Sequence, residues 1–415
     1  MSTAAFDTMW SDLESVGRVA SGGYQRFAWT KEDHTLREWF TGECARRGLD
    51  LTEDRVGNQW GWWWEGPGTV DDAVAAGRKA VVIGSHLDSV PDGGAFDGPL
   101  GVVSALAAVD RLRAAGVTPQ VPIAVTNFVD EEGARFGIAC AGSRVLTGLL
   151  APETALALTD ADGTTYAEAL RAAGRDPEAL GPDPAALGRI GAFVELHVEQ
   201  GRALVDLDAP VAVASDIWPH GRWRFDFPGE ANHAGTTRLE DRRDAMLGYA
   251  GLVLGARDVA TQRGCVATVG KVHVTPGGVN AIPSHVTGWL DARGADEAEV
   301  VAMVEELTAQ AQEIGATVTR ESWTPTTHFD QGLSDRLRRV LDRDAEISAP
   351  VLGTGAGHDA GILATAGISS AMLFVRNPTG ISHSPEEHAE RDDCHAGVAA
   401  LADCVQDLVT GDGSA

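Results

Sequence analysis

The apolar run Ala80-Val81-Val82-Ile83 leads directly into Gly84-Ser85-His86-Leu87-Asp88 and then into Gly93-Gly94-Ala95-Phe96-Asp97-Gly98. Four apolar residues closed by glycine read as a buried strand. A strand ending in His-x-Asp, followed by a glycine-rich loop with a further Asp, sets metal-type ligands at the edge of a sheet. Open α/β sheets place their chemistry at the carboxyl ends of their strands. The motif therefore points to an α/β architecture and raises the question of whether other ligands converge on the same edge.

With 415 residues, the chain exceeds what one hydrophobic core usually supports, so two domains are expected. Residues 80–84, 121–129, 192–198 and 370–375 read as buried strands. Helical stretches lie between them, the clearest at 100–115, and 7–18 and 31–47 read as amphipathic helices. This alternation implies an α/β fold, a mostly parallel sheet with helices on both faces. From about Val213 to Trp323 the rhythm changes. Strands at 222–227, 265–274, 285–292 and 316–322 and helices at 241–262 and 296–314 follow the order β-α-β-β-α-β. That is a ferredoxin-like α+β unit. The expected organisation is a discontinuous domain, 1–212 and 325–415, carrying an inserted domain at 213–324. The aromatic stretch Asn58–Trp64 reads as a strand packed on the core or the insert. Residues after Thr410 are small and polar and are expected to fray.

Composition excludes several classes. A net charge of −27 argues against nucleic acid and anionic membrane surfaces as partners, since both require excess Lys and Arg. No run approaches the roughly 18 apolar residues of a membrane span, and Met1–Asp12 lacks the basic start and apolar core of a secretory signal. Cys44, Cys140, Cys265, Cys394 and Cys404 are odd in number and form no CxxC pair. That speaks against a disulfide framework or a cysteine zinc site and fits a reducing, cytoplasmic location.

Each of the four apolar strands carries or leads to metal-type ligands. The first gives His86 and Asp97, and the second leads to Asp130-Glu131-Glu132-Gly133. The third contains Glu195-Leu196-His197-Val198-Glu199-Gln200, and the fourth leads to Gly380-Ile381-Ser382-His383-Ser384. Imidazole with carboxylate and no thiolate suits zinc first, with manganese, cobalt or nickel as alternatives. Five candidate ligands exceed the three that one catalytic zinc takes from protein, whereas two ions sharing a bridging carboxylate would use them all. Of the adjacent carboxylates Glu131 and Glu132, one can ligate while the other moves a proton. Asp88 is placed to accept the other ring N–H of His86 and fix its tautomer.

The set GSHLDSVPDGGAFDGPLGV, DEEGARF, ELHVEQG, ANHAGTT, GTGAGHDA and GISHSPEEH resembles the M20-type metallohydrolases over nearly the whole chain. The hydantoinase/carbamoylase branch is the best match. It includes N-carbamoyl-L-amino acid amidohydrolases, allantoate amidohydrolases and β-ureidopropionases. The resemblance implies two divalent ions per subunit. His86 and His197 hold one beside bridging Asp97, Glu132 and His383 complete the other, and Glu131 is the catalytic base. It also implies a cis peptide at Asp97-Gly98 and an inserted domain that dimerises the chain and closes as a lid. His233 of the lid would stabilise the oxyanion, often across the homodimer. Asn280 and Arg293 would hold a substrate carboxylate, Arg293 through its planar fork. Gln200 would read the ureido group, and Gly357 and His358 would line the pocket.

The expected substrate is a small ureido carboxylate, an N-carbamoyl-L-amino acid, cleaved by metal-assisted hydrolysis of its C–N bond. Allantoate is the alternative, followed by the substrate of an M20 aminoacylase or peptidase and, last, a non-catalytic metal-binding role. The segment Trp218-Pro219-His220 departs from relatives, which commonly carry Gln in place of His220. It reads either as a domain hinge or as a pocket wall that alters the substrate.

Overall fold

The computed structural model describes residues 2–343 and 348–411, so positions 412–415 of the expected tail lie outside the described residues. Two compact units emerge. The first is Met1–Ser215, His328–Leu352 and Gly357–Ala415; the second is Asp216–Thr327 and Gly353–Ala356. The grouping of Gly353–Ala356 with the second unit falls outside the expected boundaries of 213–324.

The strands, in chain order, begin with β1 (Asp50–Glu53), β2 (Gln59–Trp63), β3 (Ala80–His86), β4 (Ile123–Phe128), β5 (Ile190–Val198) and β6 (Val211–Ile217). The second unit contributes β7 (His220–Pro228), β8 (Asn232–His233), β9 (Val266–Thr275), β10 (Ala281–Ile282), β11 (His285–Arg293) and β12 (Thr317–Thr324). The last three are β13 (Thr327–His328), β14 (Val351–Thr354) and β15 (Ser369–Val375).

One nine-stranded sheet runs in the order β1-β2-β4-β3-β5-β15-β6-β13, with β14 also on β6. Its centre, β4-β3-β5-β15, is parallel, and the flanking β1-β2, β2-β4 and β15-β6 pairs are antiparallel. The fold is thus mixed α/β around a parallel centre. Val81 and Ile83 enter a core shared with helices Pro99–Ala114 and Arg391–Thr410. Val82, pointing the opposite way, is equally inaccessible. Burial on both faces explains why the central strands read as unbroken apolar runs.

The tryptophan-rich stretch is β2, buried along its length. Indole N–H groups of Trp60, Trp62 and Trp63 donate to Asp54, Thr52 and Glu65, so these three enter the core with their polar edges satisfied, whereas Trp64 Nε1, just beyond the strand, is buried without a hydrogen bond.

In the second unit β12-β7-β11-β9 form a fully antiparallel sheet. Helices Ala245–Arg263 and Glu297–Glu313 share one core with it, in which Phe225, Val286, Leu290 and Met303 are fully buried. An unanticipated two-residue ladder pairs β8 with β10, setting His233 opposite Ala281.

The first unit depends on the helix Pro99–Ala114 filling the space under β3. Leu106 is fully buried there. Leu106→Ala should cost about 2–5 kcal/mol in denaturant unfolding; a loss under about 1 kcal/mol would show that this helix is not central to the core.

Candidate metal centre

The parallel register of β3 and β5 pairs Gly84 with Glu195. Two residues on, His86 and His197 stand side by side at the carboxyl ends, their ring centroids 6.0 Å apart. Each ring presents Nδ1 to a backbone carbonyl, His86 to Asp88 at 3.2 Å and His197 to Val198 at 2.8 Å. A carbonyl only accepts, so both Nδ1 atoms carry a hydrogen, and Nε2 is the atom of each ring that a metal would use once it gives up any proton. Those Nε2 atoms are buried and make no hydrogen bond. They lie 3.5 Å and 3.0 Å from Asp97 Oδ1, off hydrogen-bonding geometry.

The other oxygen of Asp97 faces a second group. His383 Nε2 lies 3.4 Å from Asp97 Oδ2 and 3.6 Å from Glu132 Oε2. Two constellations able to hold a cation therefore share Asp97: His86, Asp97 and His197, and Asp97, Glu132 and His383. Two buried, unpartnered imidazole nitrogens and a carboxylate turned to both sides fit a pair of divalent ions. Glu131 lies beside the first group, with Oε2 3.7 Å from His86 Nε2.

Charge follows the same geometry. Burial opposes ionisation of Asp97, yet His197, His383 and His86 hold its carboxyl well below the usual range. Burial pushes Glu131 well up and Glu132 to about 8, with neighbouring carboxylates adding to both. His383 is raised to about 9, chiefly by its bond to Asp97. Protons balance the buried negative charge here, and bound cations would displace them.

The supporting residues explain the precision. Asp88 acts through two groups: its backbone carbonyl meets the His86 ring, and its carboxylate accepts the Glu131 and Glu132 amides at 3.1 Å and 3.0 Å. Gly98 has φ +84, and a Cβ there would lie 2.4 Å from the His86 ring. The Asp97-Gly98 peptide, expected to be cis, is trans, and the cis bond among the described residues is Thr275-Pro276. Positive φ at Gly98 makes the turn instead.

Glu387 escaped the sequence reading. Its Oε1 accepts the amides of Phe96 and Asp97 at 2.8 Å and 2.9 Å, and its Oε2 accepts Ser382 Oγ at 3.1 Å. It thus ties the Asp97 loop to the His383 loop. A Cβ on Gly94 would lie 2.3 Å from this carboxylate, which accounts for glycine at that position. The only hint in the sequence is a Glu four residues beyond His383.

Gln200 donates to Asp97 Oδ2 at 2.8 Å and lies 3.3 Å from His383 Nε2, directly at the second constellation. His358 is the N-cap of helix Asp359–Thr365 but caps nothing with its side chain. Its ring lies 4.5 Å from that of His197, and its Nε2 is buried without a hydrogen bond. Gly357 is exposed beside it.

Other candidates belong to the second unit. The Gly235 amide donates to His233 Nδ1 at 3.0 Å, which leaves Nε2–H as the outward donor. The Asn280 carbonyl accepts the Ala234 amide at 3.0 Å, joining the two loops. Arg293 grips Asp291 through Nε and Nη2 at 2.6 Å and 3.0 Å and donates from Nη1 to the Gly355 carbonyl at 2.6 Å. Trp218 donates its amide to Thr354 at 2.7 Å, and its indole lies against Gly353 and Gly355. His220 Nδ1 meets the Trp218 carbonyl at 3.0 Å.

Residues 82–407 match the family model of peptidase family M20/M25/M40. Over 411 residues the chain is 38% identical to an N-carbamoyl-L-amino acid amidohydrolase of Geobacillus stearothermophilus, covering 97% of each. It is 31% identical over 400 residues to the allantoate amidohydrolase of Escherichia coli strain K12, covering 94% of each. A solved amidase of the hydantoinase/carbamoylase family from Burkholderia multivorans is similar at a TM-score of 0.84 and 30% identity, covering 98% of each chain.

Two outcomes follow. Zinc binding to metal-free protein near pH 7 should release protons from His383 and Glu132, giving a calorimetric enthalpy that varies with the buffer's ionisation enthalpy; no such variation would contradict the protonated balance. Glu387→Ala should weaken metal binding about 10–100-fold in chelator competition, as loss of a supporting partner does; unchanged affinity would remove Glu387 from the scaffold.

Proposed function

Because the chain belongs to the peptidase M20/M25/M40 family, in its hydantoinase/carbamoylase branch, we propose that it hydrolyses an N-carbamoyl-L-amino acid. The enzyme is an amidohydrolase acting on C–N bonds of carbamoyl or ureido groups. The observation that carries the finer reading is Asp97, whose two oxygens face two ligand groups while Gln200 donates to the same carboxylate. This supports reading Gln200 as the amide that meets the ureido group beside the candidate ligands.

We assign His86, Asp97 and His197 to one divalent ion and Asp97, Glu132 and His383 to a second, with zinc first and manganese, cobalt or nickel as alternatives. When bound, such a pair supplies Lewis acidity, polarising a carbonyl and acidifying water. Glu131, whose Oε2 faces the ligand group, accepts the proton of the attacking water and returns it to the departing nitrogen. Such general acid–base help is worth about 10²–10⁴-fold.

His233 has the tautomer this role needs, because Nε2–H is its remaining donor for a developing oxyanion. Arg293 and Asn280 anchor the carboxylate. Three of the five guanidinium N–H groups of Arg293 are engaged by Asp291 and Gly355, which hold the plane still, and two remain for a ligand. His358 and Gly357 line the pocket beside His197. Trp218, held against Gly353 and Gly355, and His220, paired with Arg293 across the sheet, would tune which side chain is accepted.

The inserted unit is the proposed lid and dimerisation domain of a homodimer, a reading supported by exposed Leu247, Leu254, Val266 and Val272. A cytoplasmic location fits cysteines that are all free. No helix among the described residues is long and apolar enough to cross a membrane.

Product release from metal-loaded enzyme with N-carbamoyl-L-amino acids, allantoate, ureidoglycolate and N-acyl amino acids tests the substrate. N-carbamoyl-L-amino acids should give the highest kcat/KM; a preference for allantoate would move the assignment within the branch, and a preference for N-acyl amino acids would refute it. Arg293→Ala should raise KM at least tenfold with kcat little changed, and an unaltered KM would sink the anchoring role.

A further inference from the structure

The proposed base is not held by metal ligands alone. Glu131 Oε1 accepts a hydrogen bond from the thiol of Cys140 at a sulfur–oxygen distance of 3.1 Å, inside the protein. We propose that Cys140 is a positioning residue for Glu131. Its S–H occupies Oε1 and so leaves Oε2, the oxygen facing His86 and the ligand group, as the one that carries the proton.

The contact is built rather than incidental. Cys140 adopts φ +54, a left-handed conformation that non-glycine side chains rarely take. Next to it the chain is zipped to the segment bearing Glu131. The Cys140 amide donates to the Glu131 carbonyl, Ala141 to Asp130 at 2.9 Å and Gly142 to Val129 at 3.0 Å. A Cβ on Gly142 would meet the Val129 carbonyl at 2.3 Å, so the two segments approach as closely as glycine allows. Asn58 secures the far side by accepting the Val129 amide at 3.0 Å. Both partners are therefore fixed by backbone, and the left-handed turn aims the sulfur at the carboxylate.

The chemistry suits a thiol. Burial, with Glu131 and Asp359 nearby, pushes the Cys140 thiol well up, so the sulfur keeps its hydrogen to donate. S–H is a weak donor. It restrains Glu131 at Oε1 while drawing little charge away from Oε2, the oxygen that must accept a proton. A hydroxyl would restrain it too, but as a stronger donor at Oε1 would lower the basicity of Oε2 more. Without a donor, the carboxylate could turn Oε1 toward the ligand group and lose its fixed division of labour.

This inference rests on Glu131 being the base, so the test separates the two. In metal-loaded enzyme, Glu131→Gln should lower kcat at least a hundredfold; full turnover would overturn the base and, with it, the consequence assigned to Cys140. With that result in hand, Cys140→Ala should lower kcat about tenfold, with KM and metal content unchanged, and Cys140→Ser should recover to within about threefold of wild type. Equal losses in Ala and Ser, or no loss in either, would overturn the positioning role. The infrared S–H stretch absent from Cys140→Ala protein should lie below those of the other buried thiols and rise in Glu131→Ala. A band that does not move would overturn the contact itself, whatever the turnover.

Discussion

A single buried carboxylate organises this molecule. Asp97 presents one oxygen to His86 and His197 and the other to His383. Unpaired, such a group would be too costly to bury. Its surroundings are therefore arranged around it. Neighbouring parallel strands bring two imidazoles to one oxygen, and a glycine with positive φ lets the Asp97 loop fold against the His86 ring. Glu387 then fastens that loop to the segment carrying the third imidazole.

Around this centre the protein gathers buried acidic side chains. Glu131, Glu132, Asp130 and Asp359 are all pushed upward, in each case first by burial. Both oxygens of Asp130 are buried without a hydrogen bond. Clustered buried acids of this kind are expensive unless cations compensate them. They are also a means of setting a base to work near neutral pH. Under the proposed function the same excess would serve two ends: drawing in divalent ions and keeping Glu131 basic enough to shuttle a proton.

Much of this was legible in the sequence because it is local. The strands under the site are continuous apolar runs, and the candidate ligands lie on those strands or in the loops that follow them, so His86, Asp97, Glu132, His197 and His383 could be named together. The change of rhythm after Val213 marked the second, antiparallel sheet. What escaped notice depends on long-range approach. Glu387 is separated from Asp97 by most of the chain, and its role shows only once Gly94 is found against its carboxylate. Cys140 stands in the sequence only as one of five unpaired cysteines, because nothing there signals that one residue will turn left-handed. Gly353–Ala356 join the second unit through Trp218, a contact that apolar periodicity does not encode. The trans Asp97-Gly98 peptide corrects an expectation carried over from resemblance alone.

The shared carboxylate can be examined directly. Anomalous diffraction at the zinc edge from zinc-loaded crystals should show two peaks about 3.5–4 Å apart, one on each side of Asp97, with His86 and His197 at one and Glu132 and His383 at the other. A single peak in fully active protein would contradict a bridging role for Asp97.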